Sequence, residues 1–130
     1  MNALLLKLTN NVRLSAGLKP LQWHALLGQV AQSHAIMMAQ HGYFDHVDHQ
    51  GRAVGERLLQ LGYNYRWAGE NISAGKADAE AVFNWWMTSS SHRENILKPD
   101  YTVTGFGYCY IPEDRNAYFH YWVQAFASPL

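Results

Sequence analysis

The spacing of apolar residues changes along this chain, and that change limits the folds open to it. Up to about residue 90 apolar side chains recur at helical intervals, whereas from residue 104 they alternate. Residues 104–111 and 118–126 read as two strands, and Pro112, Asp114 and Asn116 between them supply the turn of an antiparallel hairpin. Helices early and strands late predict an α+β domain in which helices cover a sheet. At 130 residues the chain is read as one domain over 1–130, long enough to bury a core without covalent staples.

The helical part divides at its glycines and prolines. Leu4, Leu5, Leu8, Val12 and Ser15 share one face over 2–15; Gly17 stops that run and Pro20 prevents its continuation. A second helix is expected over 22–41, with Trp23, Leu26, Leu27, Val30, Met37 and Met38 on one stripe. His34 lies in that stripe and is read as a hydrogen-bonded core residue rather than a ligand. A short helix over 52–61 points Val54, Leu58 and Leu61 inward, and residues 69–73 form a short strand leaving a glycine turn. Asp78 caps a helix running to about residue 90 that buries Val82, Phe83, Trp85 and Trp86, and residues 89–92 end it. Gly105 and Gly107 share one strand face, where missing side chains let another backbone approach closely.

Composition removes several function classes. Ten lysines and arginines balance ten aspartates and glutamates, for a formal charge of zero and a pI near 7.1. A protein that lives on phosphate contacts needs a basic surplus, so nucleic acid is not an expected partner. Cys109 stands alone, so no internal disulfide is possible. No apolar run approaches the ~20 residues of a membrane span. The four apolar residues at 3–6 fall short of the ~7–15 of a secretory leader, so no signal peptide is read here. A cytoplasmic protein and a chain given without its export signal both remain open on composition.

Three segments combine ionisable groups with loop or element-end placement: 43–46, 69–71 and 91–95. Imidazoles with a carboxylate can ligate zinc or relay protons. The H-E-x-x-H, G-x-S-x-G, P-loop and G-x-G-x-x-G patterns are absent. His46 and His49 make only a weak metal pair, and Ser91 beside His92 is no triad signature, because nucleophile and base normally come from separate elements.

Taken as a set, these residues are recognisable. Asn10-x-x-Arg13, Gly17-Leu18-x-Pro20-Leu21-x-Trp23, Ala31-x-x-His34-Ala35 and Tyr43-Phe44-x-His46 run in order along the chain. Gly69-Glu70-Asn71-Ile72, Trp86-Met87-x-Ser89-x-x-His92-Arg93-x-Asn95-Ile96-Leu97 and Tyr121-Trp122-x-Gln124-x-Phe126 follow them. The sequence resembles the CAP superfamily of cysteine-rich secretory, antigen 5 and pathogenesis-related 1 proteins. It looks closest to the disulfide-free bacterial, SCP-like branch. The resemblance implies a three-layer α-β-α sandwich with a central, largely antiparallel sheet. It also implies an open cleft lined by two histidines and two acidic residues. Carried over by motif, these are His46, Glu70 and His92. The fourth, a glutamate in eukaryotic members, falls on Ser89; Glu56 and Glu94 stand as substitutes that the motif does not require. His34 sits where eukaryotic members often carry a bulky aromatic, which favours its core reading.

His46, Glu70 and His92 are therefore expected to converge on one cleft. Two neutral imidazoles can hold Zn²⁺ or another divalent metal with water in the open positions, a weak and exchangeable site. Glu70 is either a third ligand or an outer acceptor orienting an imidazole. In the blander reading Glu70, Asn71 and Arg93 only tie loops together. The first functional reading is a secreted or extracytoplasmic binding module, monomeric, for an unidentified extracellular ligand or protein. The alternative is a hydrolase or peptidase using His46 or His92 as base, Glu70 as orienter and Ser89 or Ser91 nearby. A third is a structural domain with no ligand. A serine Oγ within reach of an imidazole favours the enzyme; both histidines facing one open cleft favour binding.

Overall fold

The computed structural model describes residues 2–130. Its elements run α1 (Asn2–Ser15), β1 (Gln22–Trp23), α2 (Ala25–His41), α3 (Val54–Gln60) and β2 (Tyr65–Ala74), then α4 (Ala79–Thr88), α5 (Ser90–Ile96), β3 (Val103–Tyr110) and β4 (His120–Pro129). The four strands form one sheet in the order β1-β3-β4-β2, antiparallel except for the short parallel β1/β3 pair. Helices cover both faces. This is the expected α-β-α sandwich with a largely antiparallel sheet.

Strand β4 is the spine. Residues 121–128 are all buried because alternate side chains enter two different cores. Tyr121, Val123, Ala125 and Ala127 meet Leu27, Val30, Ala31 and Met38 of α2. Trp122 and Phe126 meet Leu5 of α1, Val82, Phe83 and Trp86 of α4, and Ile96 of α5. On the α2 side the contact is backbone to backbone. A Cβ on Gly105 would sit 2.1 Å from the Gly28 nitrogen, and one on Gly107 would sit 2.4 Å from the Ala31 carbonyl carbon. The two glycines let α2 lie directly on β3, as their shared face predicts.

Several expectations need correction. Gln22 and Trp23 are strand, not helix: they pair with Val103 and Thr104, and α2 starts after His24, whose Nδ1 accepts the Leu26 N–H at 3.1 Å. Strand pairing outcompetes the helical period there. Trp23 is 41% exposed, although its ring covers Gly28 and stacks on Phe106. Leu4 is exposed; Thr9 and Arg13 complete the buried face of α1 beside Leu5. Leu61 is only half-buried, and Arg57 takes the inward place on α3. The buried stripe of α4 is Ala79, Val82, Phe83 and Trp86, which leaves Trp85 46% exposed. Residues 89–92 do end α4, but extended Ser89 is followed at once by α5. That helix buries Ile96 alone, so no apolar period announces it. Strand β2 extends well beyond 69–73, pairing with β4 from Tyr65 to Ala74.

Candidate functional site

The site is assembled on the outer strand β2 by the loop after α2 and by α5. Gly42 closes α2 in the left-handed region (φ 70°), its N–H bonding Met38 O. The loop that follows is knotted by buried Asp48, whose Oδ1 accepts the Gln50 and Arg52 N–H groups, both at 2.9 Å. Burial alone would raise the Asp48 carboxyl, but these N–H bonds and the Arg52 charge hold it below the usual range. From beneath, His34 Nε2 donates to Asp45 O at 2.8 Å. His34 is 1% exposed and its burial lowers its pKa; it is a hydrogen-bonded core histidine, as read from the sequence.

That loop delivers His46. Its Nδ1 lies 3.0 Å from Glu70 Oε1, while Glu70 Oε2 takes Arg57 Nη2 at 2.9 Å. The same guanidinium donates to His46 O at 3.0 Å. Glu70 is buried, and both of its oxygens are committed, one to each partner. The hydrogen bond to Glu70 raises the His46 pKa, against the opposing effect of burial. A carboxylate facing Nδ1 fixes the neutral ring with its proton there and its lone pair on Nε2. Glu70 thus stands behind the imidazole, against its Nδ1.

His92 arrives from the other side on the first turn of α5. Asn71 Nδ2 donates to His92 O at 3.0 Å, and Asn95 Nδ2 reaches Asn71 Oδ1 at 2.9 Å and Glu70 O at 3.2 Å. These amides lock α5 to β2, so Asn71 does have the loop-tying role that the blander reading gives it. Arg93 does not share it; it is exposed beside a separate cavity. His92 Nδ1 lies 2.8 Å from Ser89 Oγ. Burial, then the charge of His46, lowers the His92 pKa.

Both imidazoles border one open cleft of about 510 Å³, walled by Phe44, Trp85 and Tyr118 and floored by Ile72, Ser73 and Ala74. His49 borders another cavity and pairs with Tyr43, so His46 and His49 do not act together. Glu56 accepts the Ala53 N–H at the start of α3, and Glu94 lies beside the Arg93 cavity; neither replaces the missing acidic residue. Ser89 takes that position against His92, and Ser91 is exposed on α5. Among the described residues no group of three or more His, Cys, Asp or Glu side chains is arranged to hold a metal. Two imidazoles and Asp45 border the cleft, so an ion held there would keep most of its water.

Sequence reasoning missed Arg57, Asp48, Lys76 and the aromatic walls. Arg57 falls three residues after Val54, on the inward face of α3, but a cation in a short helix reads as solvated. Lys76 and Tyr118 lie far apart in sequence and meet the cleft only through the fold.

The sequence model of the cysteine-rich secretory protein family matches residues 6–126. The protein YkwD of Bacillus subtilis is 39% identical over 102 residues, which cover 78% of this chain and 40% of that protein. This chain therefore spans less than half of that relative. An extracellular protein containing an SCP domain from Bacillus anthracis superposes with a TM-score of 0.85 at 28% identity, over 98% of this chain and 40% of that one. An outer surface protein from Borrelia burgdorferi shares the fold, with a TM-score of 0.88 at 20% identity over 98% of this chain and 92% of its own. Sequence match and superposition agree: the chain belongs to the cysteine-rich secretory protein, or CAP, family.

Proposed function

We propose that this CAP domain is an extracytoplasmic binding module whose cleft holds a divalent cation weakly between His46 and His92. The observation that carries the reading is that each imidazole has its Nδ1 engaged inside the protein, on Glu70 and Ser89, while both rings border one cleft. A carboxylate behind a ligating histidine fixes its tautomer and raises its basicity. The ion, when bound, supplies a positive centre for a carbonyl or carboxylate of a ligand. An extracytoplasmic setting is supported by the extracellular and outer-surface proteins that this chain resembles. Among the described residues no helix is long and apolar enough to cross a membrane.

The test is calorimetric titration with Zn²⁺ at pH 5 and pH 7.5. Both rings must be neutral to bind, and the His46 pKa is raised by Glu70, so protons compete strongly. Affinity should fall steeply below roughly pH 6. Glu70→Gln should weaken it about 10–100-fold through loss of the orienting charge. Equal affinity at both pH values, or binding that survives replacement of both histidines by alanine, would sink the reading.

A hydrolase is the second reading, favoured by the 2.8 Å separation of Ser89 Oγ and His92 Nδ1. Against it, the two halves of a triad are divided: Glu70 orients His46, whereas the serine belongs to His92. Ser89 is also absent from the cleft lining. A fluorophosphonate that labels Ser89, detected by mass and abolished in His92→Ala, would favour the enzyme; an unlabelled Ser89 favours the binding module.

A further inference from the structure

A second cavity, of about 370 Å³, lies between α2, the loop tied by Asp48 and α3. It shares no lining residue with the histidine cleft. Exposed Gln29, Ser33, Gln50 and Gln60 form its rim, whereas its Val30, His34, Asp48 and Arg57 are buried. Met37 and Leu61 add half-buried apolar surface beside Val30. A polar floor, an apolar wall and this volume suit a small molecule.

Two buried side chains of this cavity hold polar atoms that the protein does not answer. Arg57, with its side chain 8% exposed, spends Nη2 on Glu70 Oε2 at 2.9 Å and His46 O at 3.0 Å. Its Nη1 and Nε have no hydrogen-bond partner among the described residues. Asp48 Oδ2 lies 3.9 Å from Nε, beyond hydrogen-bond reach. The His34 side chain is fully buried; Nε2 donates to Asp45 O, and Nδ1 is unanswered. A carbonyl only accepts, so Nε2 keeps its proton, and on the neutral ring the lone pair is on Nδ1. The two side chains meet at Glu70: Arg57 holds Oε2, and His34 Nε2 lies 3.9 Å from Oε1. The cavity therefore sets N–H donors beside an acceptor, and leaving either unpaired is costly. Its charge is already balanced, with Arg52 and Arg57 against Asp48 and Glu70.

We propose that this cavity is a binding site for a small neutral molecule bearing a primary carboxamide. The amide oxygen accepts from Arg57 Nη1, the amide N–H donates to His34 Nδ1, and the apolar remainder lies against Val30, Met37 and Leu61. A carboxylate answers Arg57 alone, and it adds a negative charge to a group with no positive surplus. A ketone likewise leaves His34 Nδ1 bare. The proposal does not rest on metal binding in the cleft, since the two linings are separate. Water is the other occupant that such atoms accept, and the test is built to tell the two apart.

Side-chain NMR of the isotope-labelled protein reads both partners directly, through the Arg57 guanidinium N–H groups and the His34 ring nitrogens. Benzamide, benzoate and acetophenone share one ring and differ in the polar group. Benzamide should shift both sets of resonances saturably, with a Kd of about 10 mM or tighter, as ordinary ligand efficiency gives for its size. Benzoate and acetophenone should bind about tenfold more weakly, because each leaves a buried acceptor unpaired. Ser33→Trp fills the exposed rim on α2, removes neither polar partner, and should abolish the benzamide shifts. Arg57→Lys keeps a cation beside Glu70 but removes Nη1, and should weaken benzamide about tenfold. If that variant does not fold, Ser33→Trp and the comparison of amide, acid and ketone carry the test. No saturable shift by benzamide would overturn the proposal and leave the cavity to water. Benzoate or acetophenone binding as tightly as benzamide, or benzamide shifts that survive Ser33→Trp, would overturn it as well.

Discussion

Two histidines of one residue type border the cleft in opposite protonation environments. His46 is half exposed against a buried carboxylate, and that hydrogen bond raises its pKa above the ordinary 6.5. Its stabilising effect is complete below 6.5 and is lost as pH rises through the raised folded value. His92 runs the other way. Burial lowers its pKa, so stability is lost as pH falls from 6.5 towards the lowered folded value. Metal-free imidazole NMR should therefore show His46 titrating above 6.5 and His92 below it. Glu70→Gln should return His46 towards 6.5. Coincident titrations in the wild type would mean that Glu70 does not face His46 in solution. The same variant leaves Arg57 buried without its closest carboxylate, so it should also destabilise by about 3–5 kcal/mol in urea. His46, Glu70 and His92 were legible because they carry a family motif. Arg57 was not, because nothing in the chain says that this guanidinium is desolvated.

At the scale of elements, the packing of α2 on β3 rests on two absent side chains. A Cβ at Gly107 meets only helix backbone at 2.4 Å, from Ala31 and Gln32, and backbone cannot rotate away. Gly107→Val should therefore cost about 3 kcal/mol, the upper end of ordinary overpacking. Denaturant titration checks it, and a loss below about 0.5 kcal/mol would mean that α2 does not lie on that face. The shared face of the two glycines was visible in the sequence, but the element that fills it was not. Periodicity served the long helices and the hairpin well. It failed at Gln22 and Trp23, where two residues carry too little pattern to outweigh pairing with β3. It failed again at α5, whose sequence is polar apart from Ile96 and which is held mainly by amides from Asn71 and Asn95.

Across the whole molecule, Arg13 joins the first helix to the chain beyond α5. It is 1% exposed and donates to Lys19 O, Ile96 O and Lys98 O at 2.9 Å, and to Tyr101 O at 3.3 Å. No carboxylate pairs with it among the described residues; carbonyl oxygens alone answer the charge. Arg13→Ala strands those carbonyls and opens a cavity, so a loss of at least about 3 kcal/mol is expected. Amide hydrogen exchange should show α1 and residues 96–101 losing protection together. Loss confined to α1 would mean that the clamp does not couple them.

Local patterning determined what local physics can hold: the long helices, the hairpin, the close-approach glycines and the motif that marks the family. Those depend on side-chain period, chain stiffness and turn chemistry within a few residues. The tertiary structure decided which aromatic side chains wall the cleft. It also decided that Glu70 serves His46 while Ser89 serves His92. Each of these depends on desolvation and on hydrogen bonds between residues far apart in the chain, such as Trp86 to Ile72 and Asn95 to Glu70. Such bonds acquire their strength only once the packed layers have excluded water.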